Sequence, residues 1–402
     1  MTINNEHNKL NVPNLRFPEF QGEWKKTTIG DIADLYKGTG ISKDQLSDDG
    51  EPCILYGELY TKYKSETIRE VISKTNIDNT KLARSKANDV IIPCSGETAE
   101  DIATARCVLN GNILLGGDLN IIRLHGYDGA FMSYQLNGRR KYDIAKVAQG
   151  VSVVHLYGEH LKGVKTINPC LEEQKKIAKL LSLLDERIAT QNKIIEDLKK
   201  LKSAIIEKHY GQVKKRTTCI ADLGEPFSVG SLAKDDLAEI GSPCVIYGEL
   251  FTTYGEIIFH IESYTNKTDG MILSKKGDLL FPSSTTVDAM SLIAPSVITV
   301  DGVVLGGDMF GIHISHNYNA QYLSYYFNHI AKKQLAKFAK GSTIIHLHYT
   351  DIEKAKLLLP SLEEQNRMAK CLVALDKKVF VEQNLLSSLT CQKSYLLQQM
   401  FI

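Results

Sequence analysis

Two short polar loops carry the residue types that can hydrogen-bond to the bases and phosphates of a nucleic acid. Residues 94–98 follow an apolar run that ends at Pro93, and residues 283–287 follow a matching run that ends at Pro282. Their serine, threonine and glutamate side chains are short donors and acceptors, which base-edge readout and phosphate contact both require. An ordinary polar surface loop has the same composition, so both interpretations stay open.

Basic residues beside aromatic ones form a second group of candidates. Residues 139–142 and 332–340 are rich in arginine and lysine, and Lys43 recurs as Lys234 in a matching context. Each cluster by itself is typical of a solvated face, and only its recurrence favours a nucleic-acid contact. The candidate contacts are Lys43, Ser95, Glu97, Thr98, Arg139, Arg140, Lys141, Lys234, Ser284, Thr285, Thr286, Lys332, Lys333 and Lys337.

Two further features each have a structural and a functional interpretation. The sequence Gly-Gly-Asp occurs at 116–118 and again at 306–308, where a tight turn between strands is favoured over a phosphate-contacting turn. His155 and His346 each end a β-branched run. A histidine packed in the core is favoured over a working one, because neither histidine has an evident catalytic partner nearby in the sequence.

Catalytic signatures are missing from the sequence. It contains no G-x-x-x-x-G-K-[ST] phosphate loop, no H-E-x-x-H, no G-x-S-x-G and no N-P-P-[YF] motif. The eight cysteines are scattered without a C-x-x-C pair, which predicts free thiols and no metal site. An enzymatic function would have to rest on isolated residues, so we expect a non-catalytic chain.

The chain consists of two copies of one plan. Residues 52–63 recur as 243–254, and residues 150–188 align without a gap on 341–379, with 14 identities in 39 positions. The period of about 191 residues is far too long for a solenoid unit, which spans 20–50 residues. The sequence therefore predicts a duplicated domain pair.

Each copy has two parts with different periodicities. The first part alternates short β-branched runs with turn residues and helical stretches, which predicts an α+β domain. The clearest strands are expected at 90–92, 111–115, 151–155 and 342–346, and helices are expected at 131–147 and 320–339. The predicted bounds are an N-terminal extension at 1–23, a first domain at 24–168, a first helix at 169–212, a second domain at 213–359 and a second helix at 360–402.

The second part of each copy is a long helix with a heptad-like apolar seam. Ser361 and Glu364 form a capping-box pattern at the start of the second helix. The polar interruptions of the two seams coincide, because Gln191 aligns with Glu382 and Lys202 with Lys393 in the repeat. Matching seams with matching interruptions predict that the two helices pair with each other. Two unrelated amphipathic helices, each packed on its own domain, are the alternative.

The start of each long helix resembles that of a known family. The sequences P-C-L-E-E-Q at 169–174 and P-S-L-E-E-Q at 360–365 resemble the P-x-L-x-E-Q helix start of the specificity subunits of type I restriction-modification systems. The opening residues 15–20, the S-G-E-T at 95–98 and both Gly-Gly-Asp turns resemble the same family. The resemblance covers essentially the whole chain, in the order domain, helix, domain, helix.

The resemblance implies a fold and a set of partners. It implies two target-recognition domains, each reading one half of a bipartite double-stranded DNA sequence, and two helices that form an antiparallel coiled coil with internal two-fold pseudosymmetry. Two methyltransferase subunits would dock on the helices, restriction subunits would join them, and AdoMet, ATP and Mg²⁺ would belong to those partners. The seam and docking residues are Leu171, Gln174, Ile177, Leu181, Leu184, Ile188, Leu198, Leu362, Gln365, Met368, Leu372, Leu375, Val379 and Leu389.

The repeat also predicts how far apart the two recognition domains lie and whether they recognise the same DNA sequence. A helix of about 39 residues is roughly 58 Å long, enough to hold two readers one DNA turn apart. The domains diverge more than the helices, which predicts different half-sites and an asymmetric target. Two other classes of function stay open: a coiled-coil scaffold with two protein-binding domains, and a stand-alone enzyme that binds AdoMet or a nucleotide.

The whole-chain composition limits where and how the protein acts. The 402 residues carry 48 Lys+Arg and 47 Asp+Glu, for a formal charge of +1. No apolar run approaches the roughly 20 residues of a membrane span, and Met1–Leu10 lacks a secretion signal, which predicts a cytoplasmic protein without a membrane partner. Near-neutrality predicts weak, salt-sensitive DNA binding by the chain alone.

Overall fold

The computed structural model describes residues 11–78, 80–150 and 153–402. The chain divides into two compact units. Unit 1 contains the residues up to Asn192 together with Asn384–Ile402, and unit 2 contains Lys193–Gln383. Each unit therefore holds one α+β domain and two helical segments, one from each long helix. Residues 1–10 of the predicted N-terminal extension lie outside the described residues.

Unit 1 contains thirteen strands in its described part, all of them short. The strands are β1 (Lys25–Thr28), β2 (Ala33–Lys37), β3 (Leu46–Ser47), β4 (Glu51–Ile54), β5 (Thr67–Ile68), β6 (Ser73–Thr75), β7 (Asp89–Pro93), β8 (Ser95–Gly96), β9 (Arg106–Val108), β10 (Leu114–Leu115), β11 (Leu119–Leu124), β12 (Val154–His155) and β13 (Lys165–Asn168). The helices are α1 (Ile29–Ile32), α2 (Glu58–Thr61), α3 (Ala99–Ile102), α4 (Gly129–Asn137), α5 (Lys141–Val147), α6 (Gly158–Lys162) and the start of the long α7 (Leu171–Gln212).

Unit 2 repeats this order. The strands are β14 (Arg216–Cys219), β15 (Gly224–Ser228), β16 (Leu237–Ala238), β17 (Ser242–Ile246), β18 (Ile257–Ile258), β19 (Ser263–Thr265), β20 (Ile272–Leu273), β21 (Asp278–Pro282), β22 (Ser284–Thr285), β23 (Ser296–Ile298), β24 (Val304–Gly306), β25 (Met309–Ile314), β26 (Ile345–His346) and β27 (Lys356–Leu359). The helices are α8 (Glu249–Thr252), α9 (Ala289–Leu292), α10 (Ala320–His329), α11 (Lys332–Leu335), α12 (Tyr349–Ile352) and the start of the long α13 (Leu362–Gln399). Unit 2 has 3-10 turns at Ile220–Leu223, Lys234–Asp236 and Ala336–Phe338, and unit 1 has one at Lys43–Gln45.

A five-stranded sheet lies at the centre of each domain. Its order is β2-β11-β7-β9-β5 in unit 1 and β15-β25-β21-β23-β18 in unit 2. The central strand β7 is buried along its whole length. Unit 1 also has a four-stranded sheet of order β10-β4-β6-β3. Because strand side chains alternate between faces, Val90 and Ile92 enter the core beneath the short helices, while Ile91 enters the core shared with this four-stranded sheet. The predicted α+β fold is confirmed.

Several predicted elements are shorter than their sequence patterns suggested. The run at 111–115 forms a strand only at Leu114–Leu115, because Asn112 adopts a left-handed φ of 68° in a turn. The run at 342–346 pairs only at Ile345–His346, and of the run at 151–155 only Val154–His155 is a strand, residues 151 and 152 being outside the described residues.

The two predicted domain helices are each interrupted. The stretch 131–147 contains α4 and α5, which are separated by Gly138 at the C-cap of α4. The stretch 320–339 contains α10, α11 and a 3-10 turn. A continuous apolar pattern therefore does not require one continuous helix, and in the first stretch a glycine ends the helix.

The long helices pack against each other within each unit. In unit 1, Ile177 and Leu181 of α7 share a core with Met400 at the far end of the C-terminal segment. In unit 2, Ile206 near the end of α7 shares a core with Met368 near the start of α13. The beginning of α7 packs against the end of the chain, and the end of α7 packs against the beginning of α13, so the two helices are antiparallel. The alternative of two unrelated helices is excluded. None of the described helices is both long enough and apolar enough to cross a membrane.

The glutamines of the repeated helix start join each long helix to its domain. Gln174 Nε2 donates to the carbonyl of Pro169 at 2.8 Å, and its Oε1 accepts from the backbone N–H of Asp128 at 2.9 Å. Gln365 makes the same two bonds, to Pro360 at 2.9 Å and from Asn319 at 3.0 Å. Both glutamines are 1% exposed, so they position the helix and are buried away from any partner.

The capping box predicted at the second helix is only half formed. The Ser361 hydroxyl accepts from the backbone N–H of Glu364 at 3.4 Å. The Glu364 carboxylate does not reach back to the cap, because it accepts from His209 Nε2 at 3.2 Å and from Arg367 at 2.6 Å. In unit 1 the aligned Glu173 is fully buried and binds Arg16 with two bonds of 2.8 Å. The acidic residue therefore serves tertiary contacts in both units.

Candidate nucleic-acid interface

Three segments of unit 1 join to form a rigid polar platform. The backbone N–H of Cys94 donates to the carbonyl of Asp118 at 2.7 Å, and the N–H of Leu156 donates to the carbonyl of Cys94 at 2.8 Å. Ser95 in β8 lies opposite His155 in β12 in an antiparallel pair. The loop after β7, the Gly-Gly-Asp turn and the strand β12, which are far apart in sequence, thus present their side chains together.

Unit 2 builds the same platform from the aligned residues. The N–H of Ser283 donates to the carbonyl of Asp308 at 2.7 Å, and the N–H of Leu347 donates to the carbonyl of Ser283 at 3.0 Å. Ser284 in β22 lies opposite His346 in β26. We call these two sets of segments platform 1 (residues 94–98, 116–118 and 153–157) and platform 2 (residues 283–287, 306–308 and 344–348).

A serine–aspartate hydrogen bond supports each platform from below. Ser95 Oγ donates to Asp118 Oδ2 at 3.2 Å, and Ser284 Oγ donates to Asp308 Oδ2 at 2.7 Å. Both serines are buried, at 8% and 5% exposure, so these two predicted contacts are held inside the protein. The Gly-Gly-Asp segment forms the tight turn between strands that was favoured, with Asp118 at φ 57° and Gly307 at φ 92°.

The interpretation of the two histidines as packed core residues is wrong. His155 and His346 are exposed, because each occupies the outward position of a two-residue strand while Leu156 and Leu347 fill the core. Each histidine stacks on a second ring two residues further on. In platform 1 the partner is Tyr157, 6.2 Å between ring centroids.

The ring pair of platform 2 consists of two histidines. His346 and His348 lie 6.2 Å apart and nearly parallel, with an interplanar angle of 10°. The sequence analysis missed Tyr157 and His348 as site residues. A signal was present, since both copies place a ring two residues after the histidine, which brings both rings to one side of an extended segment.

The exposed side chains of the loops complete the platforms. Glu97 and Thr98 are exposed, and Thr98 also caps α3 by accepting from the backbone N–H of Asp101 at 3.1 Å. In platform 2 Thr286 is exposed and Thr285 is half-buried. Glu97 aligns with Thr286 in the repeat, so one platform presents a carboxylate where the other presents a hydroxyl.

A groove beside platform 2 contains opposite charges. It is lined by Ser283, Asp308, Lys340, Gly341, His346, His348 and Asp351. Lys340 donates to Asp351 Oδ1 at 2.5 Å. This hydrogen bond, with the backbone N–H of His348, lowers the pKa of Asp351 below its ordinary value, so Asp351 is ionised at neutral pH.

The structure places the predicted basic residues in several different environments. Arg139 donates to the carbonyl of Gln398 at 2.6 Å and Arg140 to that of Ile402 at 2.9 Å, so both hold the end of the C-terminal segment in unit 1. Lys43 and Lys234 are exposed at the starts of matching 3-10 turns. Lys333 and Lys337 are exposed, whereas Lys141 and Lys332 are half-buried. Their role as DNA contacts stays a prediction.

The predicted seam residues are mostly interior. Ile177, Leu181, Leu184, Met368, Leu372, Val379 and Leu389 are buried, Leu171, Ile188, Leu198 and Leu375 are half-buried, and Leu362 is 37% exposed. The buried ones hold the helix pair together and leave other faces of the helices for any partner. Across the described ranges, no three His, Cys, Asp or Glu side chains are arranged to hold a metal ion.

Comparisons with known proteins give one consistent family. The family model described as "Type I restriction modification DNA specificity domain" matches residues 21–200 and 219–390. The type I restriction enzyme MjaVIII specificity subunit of Methanocaldococcus jannaschii is 25% identical over 408 residues, covering 95% of this chain and 92% of the relative. The putative type I restriction enzyme MjaX specificity subunit of the same organism is 25% identical over 411 residues, covering 89% and 91%.

A solved structure shares the fold. The S subunit of a type I restriction-modification system from M. genitalium superposes with a TM-score of 0.68 over 97% of this chain and 99% of that chain, at 18% sequence identity.

Proposed function

The chain belongs to the type I restriction modification DNA specificity family, and we propose that it is the non-catalytic subunit that selects the DNA target of such a system in the cytoplasm. Platform 1 and platform 2 each read one half of a bipartite double-stranded target. The observation that carries this proposal is the recurrence of the same three-segment platform in both units, with the same buried support and different exposed side chains.

The chemistry of the exposed side chains fits a groove of DNA. Carboxylate, hydroxyl and imidazole groups accept from or donate to base edges, and the rigid backbone bonding beneath them reduces the entropy lost on binding. Glu97 in platform 1 occupies the position that Thr286 occupies in platform 2. Tyr157 likewise occupies the position of His348. Because these pairs differ in charge and in hydrogen-bonding capacity, the two half-sites differ and the target is asymmetric.

The helices supply the docking surface for two methyltransferase subunits in this proposal. The seam is buried, so docking uses apolar side chains on the outer faces, such as Leu183 at 43% exposure and Tyr395 at 57% in unit 1, and Val381 at 57% in unit 2. Restriction subunits join this complex, and AdoMet, ATP and Mg²⁺ are bound by the partners.

Genome-wide mapping of methylated adenines, with and without this gene, tests the proposal. We expect one asymmetric bipartite motif to lose its methylation when the gene is deleted and to regain it on complementation. A palindromic motif would contradict the proposed difference between the platforms. An unchanged methylation map in a host whose methyltransferase genes are intact would contradict the function itself.

A further inference from the structure

A lysine interrupts the apolar seam of each long helix, and in unit 1 it lies within a buried cluster of charges. Lys393 Nζ lies 2.7 Å from Glu66 Oε2 and 2.7 Å from Asp185 Oδ1, and its side chain is 15% exposed. Tyr134 donates its hydroxyl to the other oxygen of Asp185 at 2.7 Å, and the ammonium lies 5.7 Å from the centroid of the same ring. We call Lys393, Glu66 and Asp185 trio 1.

Unit 2 contains the matching cluster. Lys202 Nζ lies 2.8 Å from Glu256 Oε2 and 2.8 Å from Asp376 Oδ1, with 12% of its side chain exposed. Tyr325 donates to Asp376, and the ammonium lies 5.5 Å from that ring centroid. We call Lys202, Glu256 and Asp376 trio 2.

Each trio joins three different parts of the chain. Its lysine comes from the second half of one long helix and its aspartate from the first half of the other. Its glutamate comes from the segment after α2 in unit 1 or after α8 in unit 2. A shift of 191 positions relates the lysines and the aspartates of the two trios. The trios therefore fix two things at once: the register of the helix pair and the seating of a domain upon it.

A buried charge cluster is suited to fixing geometry more than to adding stability. Desolvation offsets most of the attraction within such clusters, but any arrangement that leaves a buried charge unpaired is strongly disfavoured. Burial lowers the pKa of Lys393, but the charges of Glu66 and Asp185 outweigh this and hold it above its ordinary value. An apolar seam tolerates a shift by one turn, whereas a seam with one buried lysine has one register.

We propose that Lys393 and Lys202 are positioning residues that set the permitted spacer between the two DNA half-sites, by allowing one register of the helix pair and one seating of each domain. The spacer role rests on the proposed function, whereas the register role is a property of the chain alone.

The first test measures spacer selectivity in the reconstituted complex with the methyltransferase subunits. Lys393→Met removes the ammonium from Glu66 and Asp185, which keep the nearby Arg106 charge and the Tyr134 hydroxyl respectively. It is compared with the triple variant Lys393→Met, Asp185→Asn and Glu66→Gln, which neutralises all three members of the trio. Lys200→Met is the matched control, since Lys200 is 69% exposed and paired with Glu196 on the surface. Substrates are duplexes with the native spacer and with spacers one or two base pairs shorter or longer.

We expect the neutralised trio to lower the preference for the native spacer by about tenfold, while the control keeps it. Unchanged selectivity in a neutralised complex that still methylates would overturn the spacer role. A wild-type complex that methylates no bipartite duplex would overturn the proposed function and the spacer role together, and would leave the register role to the second test.

The second test measures helix register in the full chain without DNA. Spin labels are placed at Thr190 and Gln392, which are both exposed in unit 1. The wild-type chain should give one narrow distance. A chain with both trios neutralised, in which Lys202→Met, Asp376→Asn and Glu256→Gln are added to the trio 1 changes, should add a second population displaced by about one helical turn, roughly 5.4 Å. A single unchanged distance in this chain, with circular dichroism showing that it is folded, would overturn the register role.

Discussion

At the scale of the residue, neighbouring side chains of each platform loop differ in orientation. One side chain supports the loop from inside, and another is exposed and available for recognition in the proposed function. Ser95 and Ser284 face inward and bind the turn aspartates, while Glu97 and Thr286 face outward. In the proposed function only the outward set discriminates bases, because the inward hydroxyls are buried and their one donor O–H is bonded to an aspartate. We expect specificity changes from the outward residues and stability losses from the inward ones.

Glu97→Ala should weaken methylation of the target through one half-site only. A carboxylate that accepts from a base amino group discriminates by about 1–3 kcal/mol, which corresponds to roughly fivefold to 150-fold. The measurement is methylation of duplexes that vary one half-site at a time. Glu100→Ala, an exposed neighbour in α3, is the control. Equal effects of the two variants would contradict a reading role for Glu97.

Glu256→Gln should destabilise unit 2 more than Glu66→Gln destabilises unit 1. Although burial opposes it, hydrogen bonds from His329 and Lys202 lower the pKa of Glu256 to about 2. Burial raises the pKa of Glu66, with the charge of Asp185 adding to it. A depression from 4.5 to about 2 makes the folded state about 3 kcal/mol more stable with Glu256 ionised than with Glu256 protonated.

The stability that Glu256 contributes to the folded state decreases as the pH falls. The stabilisation by Glu256 is fully present above about pH 4.5 and is lost as the pH falls to about 2, because the unfolded chain takes up the proton first. Hydrogen exchange within each unit as a function of urea separates the two contributions. Equal losses for the two glutamine variants at pH 7 would contradict the difference between the trios.

At the scale of the element, the repeated helix start is a joint between helix and domain. Gln174 and Gln365 each satisfy one carbonyl before the helix and one N–H at the cap of a domain helix. This double contact explains why the P-x-L-x-E-Q pattern occurs once per unit. It also explains why the buried glutamines cannot contact a partner subunit directly.

Gln174→Ala or Gln365→Ala should each lower the free energy of unfolding by about 1–3 kcal/mol, since two buried backbone groups lose their partners. Urea unfolding at neutral pH measures the loss. Gln392→Ala, an exposed glutamine on α13, should change it by less than about 0.5 kcal/mol. A comparable loss in the control would contradict the role of the joint, because replacing glutamine by alanine within a helix does not lower helix propensity.

At the scale of the whole molecule, near-neutral charge limits what the chain does alone. With 48 basic and 47 acidic residues, the chain has little charge to release counterions from DNA. The predicted arginines at 139 and 140 are moreover engaged with the C-terminal segment. Affinity in the proposed complex therefore comes largely from the partner subunits, and this chain supplies the choice of sequence.

The isolated chain should bind its target duplex weakly, and adding the methyltransferase subunits should both tighten binding and steepen its dependence on salt. The slope of log affinity against log salt counts the phosphates neutralised, at about 0.9 per phosphate. Fluorescence anisotropy between about 50 and 200 mM salt measures it, with a scrambled duplex as control. The same slope and affinity for chain and complex would contradict the division of roles.

The amino-acid sequence by itself determined the duplication, the α+β class, the two long helices and their pairing. These features depend on local spacing, on apolar side chains three and four apart, and on a repeat of about 191 positions, all of which can be read along the chain. The positions of Lys202 and Lys393 as interruptions of the seam were visible in the same way.

Only the tertiary structure decided which side chains form the platforms and the trios. His155 faces solvent because Ser95 pairs with it across sixty residues, and Lys393 finds Glu66 across 327 residues. Whether a histidine is buried or a lysine is paired depends on which distant segment packs beside it. That information resides in three-dimensional packing, because local pattern specifies an element's period and face but not its neighbour.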